Sequence, residues 1–122
     1  MRVLFDQATP LPIRAYLDQH VVSTASQLGW DTLSNGDLLA AAEKGGFDVL
    51  LTTDKNMRHQ QNLAGRKIAV VILGRQQWPQ LRSHVQHVVD AVNAAVPGSY
   101  VEIDIPLIGV EQQPGRNPRS GS

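Results

Sequence analysis

The sequence predicts an α/β fold, a single three-layer α/β/α domain with a mostly parallel central sheet. Apolar and β-branched residues form unbroken runs at residues 3–5, 49–53 and 68–73, as in strands that are buried on both faces. Segments with helical spacing separate these runs, and such alternation is typical of parallel sheets covered by helices. The first two runs end directly on an acid, Asp6 and Asp54. A chain of 122 residues fits one such domain.

Strands and helices are predicted to alternate along the whole domain. The predicted strands cover residues 2–6, 21–22, 48–53, 68–73 and 100–105. The predicted helices are one that begins at Pro10 and three over residues 38–44, 57–63 and 79–96.

Local signals place the ends of these elements. Thr9 precedes Pro10, and proline is favoured at the first position of a helix. The Gly45-Gly46 pair ends the second helix. Pro79 begins the longest helix, whose apolar residues recur at helical spacing, and Pro97-Gly98 ends it. These signals support an α/β domain over residues 1–110.

The last part of the chain changes character. Residues 100–105 alternate between apolar and polar side chains, which indicates an edge strand. Residues 111–122 are polar and include two prolines and two glycines. This composition predicts a disordered tail.

The composition excludes several classes of protein. With 42% hydrophobic and 18% charged residues the chain is typical of a globular domain. No apolar run approaches the ~20 residues of a membrane span, and no signal-peptide pattern is present. The chain has no cysteine, which excludes disulfides and thiolate metal sites and fits a reducing compartment. We therefore expect a cytoplasmic protein without membrane association.

Charge is distributed unevenly although the formal net charge is zero. Residues 1–54 contain seven acids and three bases, whereas residues 55–89 contain six bases and no acid. A local excess of positive charge favours a nucleic-acid partner. An ordinary solvated surface that is basic explains the same pattern.

Three aspartates are predicted at the carboxyl edge of the sheet, where open α/β sheets bind ligands. Asp6 and Asp54 follow strands, and Asp37 lies in the first turn of a helix that begins at this edge. Glu43 lies six residues further along that helix, about 9 Å away. Asp48 precedes its strand and is therefore expected at the opposite edge.

Converging carboxylates repel one another unless a cation joins them, and Mg²⁺ or Mn²⁺ prefers such oxygen ligands. The bound ion polarises a phosphate oxygen and activates water, as phosphodiester hydrolysis requires. Asp6, Asp37 and Asp54 are accordingly the candidate catalytic and metal-binding residues. The helix dipole alone would also favour Asp37, and Asp6 alone could brace the turn before Pro10.

The chain resembles the PIN-like nucleases, in particular a group of small bacterial PIN-like proteins. The similarity covers most of residues 1–96 and depends on three blocks: VLFDQATPLPIRAYL, LGWDTLSNGDLLAAAE and FDVLLTTDKNMRHQQNL. It implies a doubly wound sheet whose acids bind divalent metal and cleave single-stranded RNA. It also implies a role as the toxin of a toxin–antitoxin pair, with an antitoxin protein as partner. The fourth acid that these nucleases usually have after the fourth strand is absent from Leu73-Gly74-Arg75.

Three hypotheses follow for the function. In the first, a Mg²⁺- or Mn²⁺-dependent endoribonuclease binds backbone phosphates through Lys55, Arg58 and Arg14. In the second, a degenerate module binds RNA or a protein partner without cleavage, as the missing acid would favour. In the third, a receiver-like domain accepts a phosphoryl group, although such domains have an acidic pair where this chain has Asp6-Gln7. The oligomeric state stays open, a homodimer included.

Overall fold

Strands and helices alternate through the part of the chain that the structure, a computed structural model, describes: residues 1–55, 57, 66–74 and 78–103. The strands are β1 (Arg2–Phe5), β2 (Val21–Thr24), β3 (Val49–Thr52), β4 (Ala69–Leu73) and β5 (Tyr100–Ile103). The helices are α1 (Asn35–Lys44), α2 (Trp78–Leu81) and α3 (Val85–Asn93), with 3₁₀ helices at Leu11–Tyr16 and Arg82–His84.

The five described strands form one parallel sheet in the order β2-β1-β3-β4-β5. The chain passes from β1 to β2 on one side and returns to β3 on the other side of β1. The direction of winding therefore reverses between β1 and β3. In open α/β sheets, ligands bind outside the carboxyl ends of the strands at this reversal. The predicted α/β fold with a parallel sheet is confirmed.

Both faces of the sheet are covered by helices, so the predicted three layers are present. All residues of β3 and β4 are buried, which explains why their sequences show no alternation. On one face the strands pack against the 3₁₀ helix Leu11–Tyr16 and α3, through the cluster Phe5, Ile13, Leu51, Val71, Val88 and Val92. On the other face they pack against α1, through the cluster Leu4, Leu38, Leu39, Leu50 and Val70.

Helix α1 begins three residues before its predicted start. Ser34 is its N-cap, and the Ser34 hydroxyl accepts a hydrogen bond from the backbone N–H of Asp37 at 3.3 Å. Serine stabilises a helix start in this way because the first backbone N–H groups lack partners within the helix. Asn35 is consequently the first helical residue and Asp37 lies in the first turn.

The prediction of a single long helix over residues 79–96 is wrong. The backbone of His84 (φ −120°, ψ 16°) departs from α-helical angles, and a 3₁₀ turn separates α2 from α3. Helix α3 ends at Asn93, three residues before the predicted end, and Val96 is exposed. Leu81, by contrast, is buried.

Several predicted features lie outside the described residues. They are most of the helix over residues 57–63, the end of the last strand at residues 104–105, the domain boundary at residue 110 and the tail over residues 111–122. Met57 is described, and its side chain is buried against the face that α1 covers.

The buried centre of β3 gives a direct test of the core. Leu50 is fully buried, and Leu50→Ala should lower the free energy of unfolding by about 2–5 kcal/mol because it leaves a cavity. The matched control is Leu11→Ala, since Leu11 is 59% exposed, and we expect a change within about 0.5 kcal/mol. Urea denaturation of both variants measures the difference, and equal losses would contradict this assignment of the core.

Candidate functional site

The carboxyl ends of β1 and β3 bring Asp6 and Asp54 to the same edge of the sheet. Phe5 is paired with Leu51 in the parallel register, so Asp6 lies beside Thr52. The backbone N–H of Asp6 donates to the carbonyl oxygen of Leu51 at 2.9 Å, which continues the pairing by one residue. Both acids therefore lie at the carboxyl edge of the sheet, as predicted, and the strand order places them where the direction of winding reverses.

The hydroxyl of Thr52 links these two aspartates. Thr52 is fully buried, and its Oγ1 donates to Oδ2 of Asp6 at 2.7 Å. The same oxygen accepts a hydrogen bond from the backbone N–H of Asp54 at 3.1 Å. A buried hydroxyl with both a donor and an acceptor partner is held in one orientation. Thr52 thereby fixes the carboxylate of Asp6 relative to the backbone of Asp54.

Each carboxylate also accepts a hydrogen bond from a residue other than Thr52. Oδ1 of Asp6 accepts a hydrogen bond from the backbone N–H of Gln7 at 2.7 Å. Oδ2 of Asp54 accepts one from Nδ2 of Asn35, the first residue of α1, at 2.9 Å. Both aspartates are half-buried. The arrangement therefore presents two oriented carboxylates at the crevice between β1 and β3.

The turn after β1 is held by Thr9. Its hydroxyl donates to the carbonyl oxygen of Leu51 at 2.9 Å, and its backbone N–H donates to the carbonyl oxygen of Asp6 at 3.0 Å. Next to this turn lies a cavity of about 100 Å³. Its lining consists of Asp6, Gln7, Thr9, Leu11, Thr24 and Ser26. Polar side chains together with Leu11 thus surround the side of Asp6 that faces β2.

Asp37 does not share this network. Its side chain is exposed in the first turn of α1, and it is Asn35 of that turn that contacts Asp54. Within the described residues, no three His, Asp or Glu side chains form a group that could hold a metal ion. The structure brings Asp6 and Asp54 together through Thr52 and does not gather Asp37 with them. The three-aspartate metal site stays a prediction.

The predicted phosphate-binding residues have different surroundings. Lys55 directly follows Asp54, and its Nζ lies 3.6 Å from Oε2 of Glu102 on β5. Arg14 is exposed on the 3₁₀ helix Leu11–Tyr16 and forms no ion pair with any residue that the structure describes. Arg58 lies outside the described residues.

Sequence reasoning missed three residues at this edge. Thr52 belongs to the run of apolar and β-branched residues at 49–53, although its hydroxyl, two residues before a strand-end acid, could have indicated a hydrogen-bond partner for the acids. Asn35 lies outside the predicted helix over residues 38–44, and its contact with Asp54 depends on where α1 begins. Glu102 is one of the polar residues in the alternating pattern of the edge strand, and the sequence gives it no special position. Only the register places Glu102 in the row of Thr52, because Thr52 is paired with Ile72 and Ile72 with Glu102.

The opposite edge of the sheet holds a separate set of charges. Oε1 of Glu43 lies 3.1 Å from Nη1 of Arg66, and Oε2 accepts the backbone N–H of Lys67 at 2.6 Å. Oδ2 of Asp48 accepts the backbone N–H of Arg2 at 2.9 Å. Glu43 and Asp48 thus lie away from the two strand-end acids, as predicted. The acid-free segment is divided between both edges, because Lys55 follows β3 whereas Arg66 precedes β4.

Comparisons of the chain with protein-family models, curated proteins and solved structures give no match. The PIN-like assignment therefore stays a resemblance. In the described part of the chain, no helix has the length and apolar character needed to cross a membrane.

The hydroxyl of Thr52 can be tested by a pair of substitutions. Thr52→Val keeps the shape but leaves Asp6 and the N–H of Asp54 without this partner, so we expect the free energy of unfolding to fall by about 1–3 kcal/mol. Thr52→Ser retains the hydroxyl and should keep the Asp54 amide protected from hydrogen exchange. Amide exchange measured by NMR checks this, and equal protection in both variants would contradict the hydrogen-bond assignment.

Glu43 gives a pH-dependent test at the opposite edge. The hydrogen bond from the backbone of Lys67 and the charge of Arg66 lower the pKa of Glu43 below its ordinary value of 4.5, although partial burial opposes them. A lowered folded-state pKa means that the stabilisation is complete above the ordinary value and is lost as the pH falls through the folded-state value. The difference in unfolding free energy between wild type and Glu43→Gln should therefore shrink below about pH 4.5. Urea denaturation at several pH values measures it, and a difference that grows toward acid pH is the contrary result.

Proposed function

We propose that the protein is a Mg²⁺- or Mn²⁺-dependent endoribonuclease that cleaves single-stranded RNA at the carboxyl edge of its sheet. The observation that carries this proposal is the linked pair Asp6 and Asp54, oriented through Thr52 at the reversal of winding. Two carboxylates with waters and substrate phosphate are an ordinary ligand set for Mg²⁺. The residues present therefore fit such an ion.

Each residue has a separate task in this proposal. The ion, when bound by Asp6 and Asp54, would supply an activated water and a polarised phosphate oxygen. Gln7, Thr52 and Asn35 keep the carboxylates oriented, so less reorganisation is needed when substrate binds. Lys55, directly after Asp54, would contact the backbone phosphate.

The remaining predicted residues would lie around the ion without binding it directly. Asp37 is exposed in the first turn of α1, and it would contact the ion only through water. Arg14 and Arg58 would bind phosphates further along the strand of RNA. An antitoxin protein as partner and a cytoplasmic location belong to the same proposal. The resemblance to PIN-like proteins supports the partner, and the lack of cysteine fits the location.

A second candidate is a module that binds RNA or a protein without cleavage. Two observations favour it: the chain has no acid in Leu73-Gly74-Arg75 after β4, and no group of three acids forms within the described residues. An edge with only two linked carboxylates would bind a divalent ion weakly. Such a module would bind its partner without turnover.

Cleavage of a labelled single-stranded RNA separates the two candidates. With Mg²⁺ or Mn²⁺ we expect wild type to cleave, and Asp6→Asn or Asp54→Asn to lose at least about 100-fold in rate, because each removes a charge that holds the ion. The matched control is Asp90→Asn, since Asp90 is exposed on α3 and bonded to Gln86. Asp90→Asn should cleave as wild type does.

A melting experiment supports the same distinction without substrate. An ion that binds only the folded state raises the melting temperature, so Mn²⁺ should stabilise wild type and not Asp54→Asn. If wild type binds RNA but shows no metal-dependent cleavage, the non-catalytic module is the better description. If Asp54→Asn cleaves as fast as wild type, the proposed site is wrong.

A further inference from the structure

Glu102 on β5 is a fourth acid at the carboxyl edge, and it binds Lys55. Oε2 of Glu102 lies 3.6 Å from Nζ of Lys55, and Oε1 accepts a hydrogen bond from the hydroxyl of Tyr100 at 3.3 Å. Tyr100 precedes Glu102 by two residues on the same strand, so both side chains project from one face of the sheet. The tyrosine therefore orients the carboxylate that contacts the lysine.

The register explains how Glu102 reaches the candidate site. Glu102 is paired with Ile72 of β4, and Ile72 is paired with Thr52 of β3. Glu102 and Thr52 thus lie two strands apart in one row, roughly 10 Å at the ordinary strand spacing. The long side chain of Lys55 covers much of this separation. The ion pair joins the segment after β3 to the last described strand.

The pair is accessible to solvent, and this decides what it can do. The side chains of Lys55 and Glu102 are 62% and 34% exposed. Exposed ion pairs contribute little to stability, because water screens them and long side chains lose entropy when they are held. The lysine can therefore exchange Glu102 for another anion at small cost. A phosphate that approaches Asp54 is such an anion.

We infer that Glu102 sets the affinity of this edge for a phosphate backbone, because it competes with phosphate for Lys55. The identity of the phosphate as RNA rests on the proposed function, whereas the competition rests on the ion pair alone. Binding of each substrate replaces the lysine–glutamate contact by a lysine–phosphate contact. Glu102 thus weakens binding and leaves the carboxylates Asp6 and Asp54 untouched.

Removal of the competing charge tests this inference. Glu102→Gln should bind single-stranded RNA roughly 1.5- to 5-fold more tightly than wild type, the range expected of one exposed ion pair. The slope of log affinity against log salt should steepen, because salt weakens the lysine–glutamate pair that wild type must break and that Glu102→Gln lacks. In cleavage assays KM should fall more than kcat changes, since Lys55 would contribute ground-state binding.

A double variant separates the ion pair from a general effect of charge. Glu102→Gln in a Lys55→Met background should give no gain, because the lysine for which Glu102 and phosphate compete is gone. Glu43→Gln is a matched control: Glu43 also pairs with a base, Arg66, but at the opposite edge, and this variant should bind RNA as wild type does. A gain that persists with Lys55→Met, or that Glu43→Gln reproduces, overturns the inference.

A polyphosphate probe keeps this test independent of the ribonuclease proposal. Short polyphosphate offers the same anionic groups without bases or sugars, and Glu102→Gln should bind it more tightly than wild type. If wild type neither binds nor cleaves RNA, the proposed function fails, and a gain with polyphosphate still supports the inference. If RNA is cleaved but Glu102→Gln shows no gain with either probe, the inference fails and the proposed function stands.

Discussion

The parallel register of β1 on β3 is the constraint on which the candidate site depends. It places Phe5 opposite Leu51 and so brings Asp6 beside the hydroxyl of Thr52. Side chains alternate between the two faces of a strand, so a slip of one residue would turn Thr52 toward the wrong helical layer. It would also exchange apolar side chains between the two helical layers that bury them. Burial of the core therefore determines the geometry of the polar edge.

The local sequence pattern was sufficient to predict those elements whose sequence is determined by one physical effect. The strands β3 and β4 were predictable because burial on both faces removes polar alternation, and their residues are all buried. The strand order was not predictable in this way, since it depends on which side of β1 each crossover packs. The interruption at His84 depends on one set of backbone angles, which apolar spacing along a helix does not report.

The residues of the candidate site likewise include some that local sequence predicts and some that it does not. The positions of Asp6 and Asp54 were predictable because burial of an unpaired charge is costly, so an acid that follows a buried strand must lie outside the core, at the edge of the sheet. Asn35 was not, because its contact with Asp54 depends on the residue at which α1 begins, and that start is set by the Ser34 hydroxyl. Glu102 was not, because it is distant in sequence and only tertiary register brings it to Lys55. The position of a residue within a strand or helix can be predicted from neighbouring residues, whereas its contacts with other elements depend on the tertiary structure.

The place of Glu102 on β5 has a consequence for self-association of the chain. β5 is the last strand in the described sheet, and its outer side therefore presents backbone N–H and C=O groups that could pair with a strand of another molecule. Tyr100, Val101 and Ile103 would suit such pairing, and Glu102 is the charge among them. Charged residues on edge strands discourage sheet extension between molecules. Under the competition proposed above, one charge on β5 would therefore have two effects, since it would oppose sheet extension between molecules and would weaken phosphate binding at Lys55.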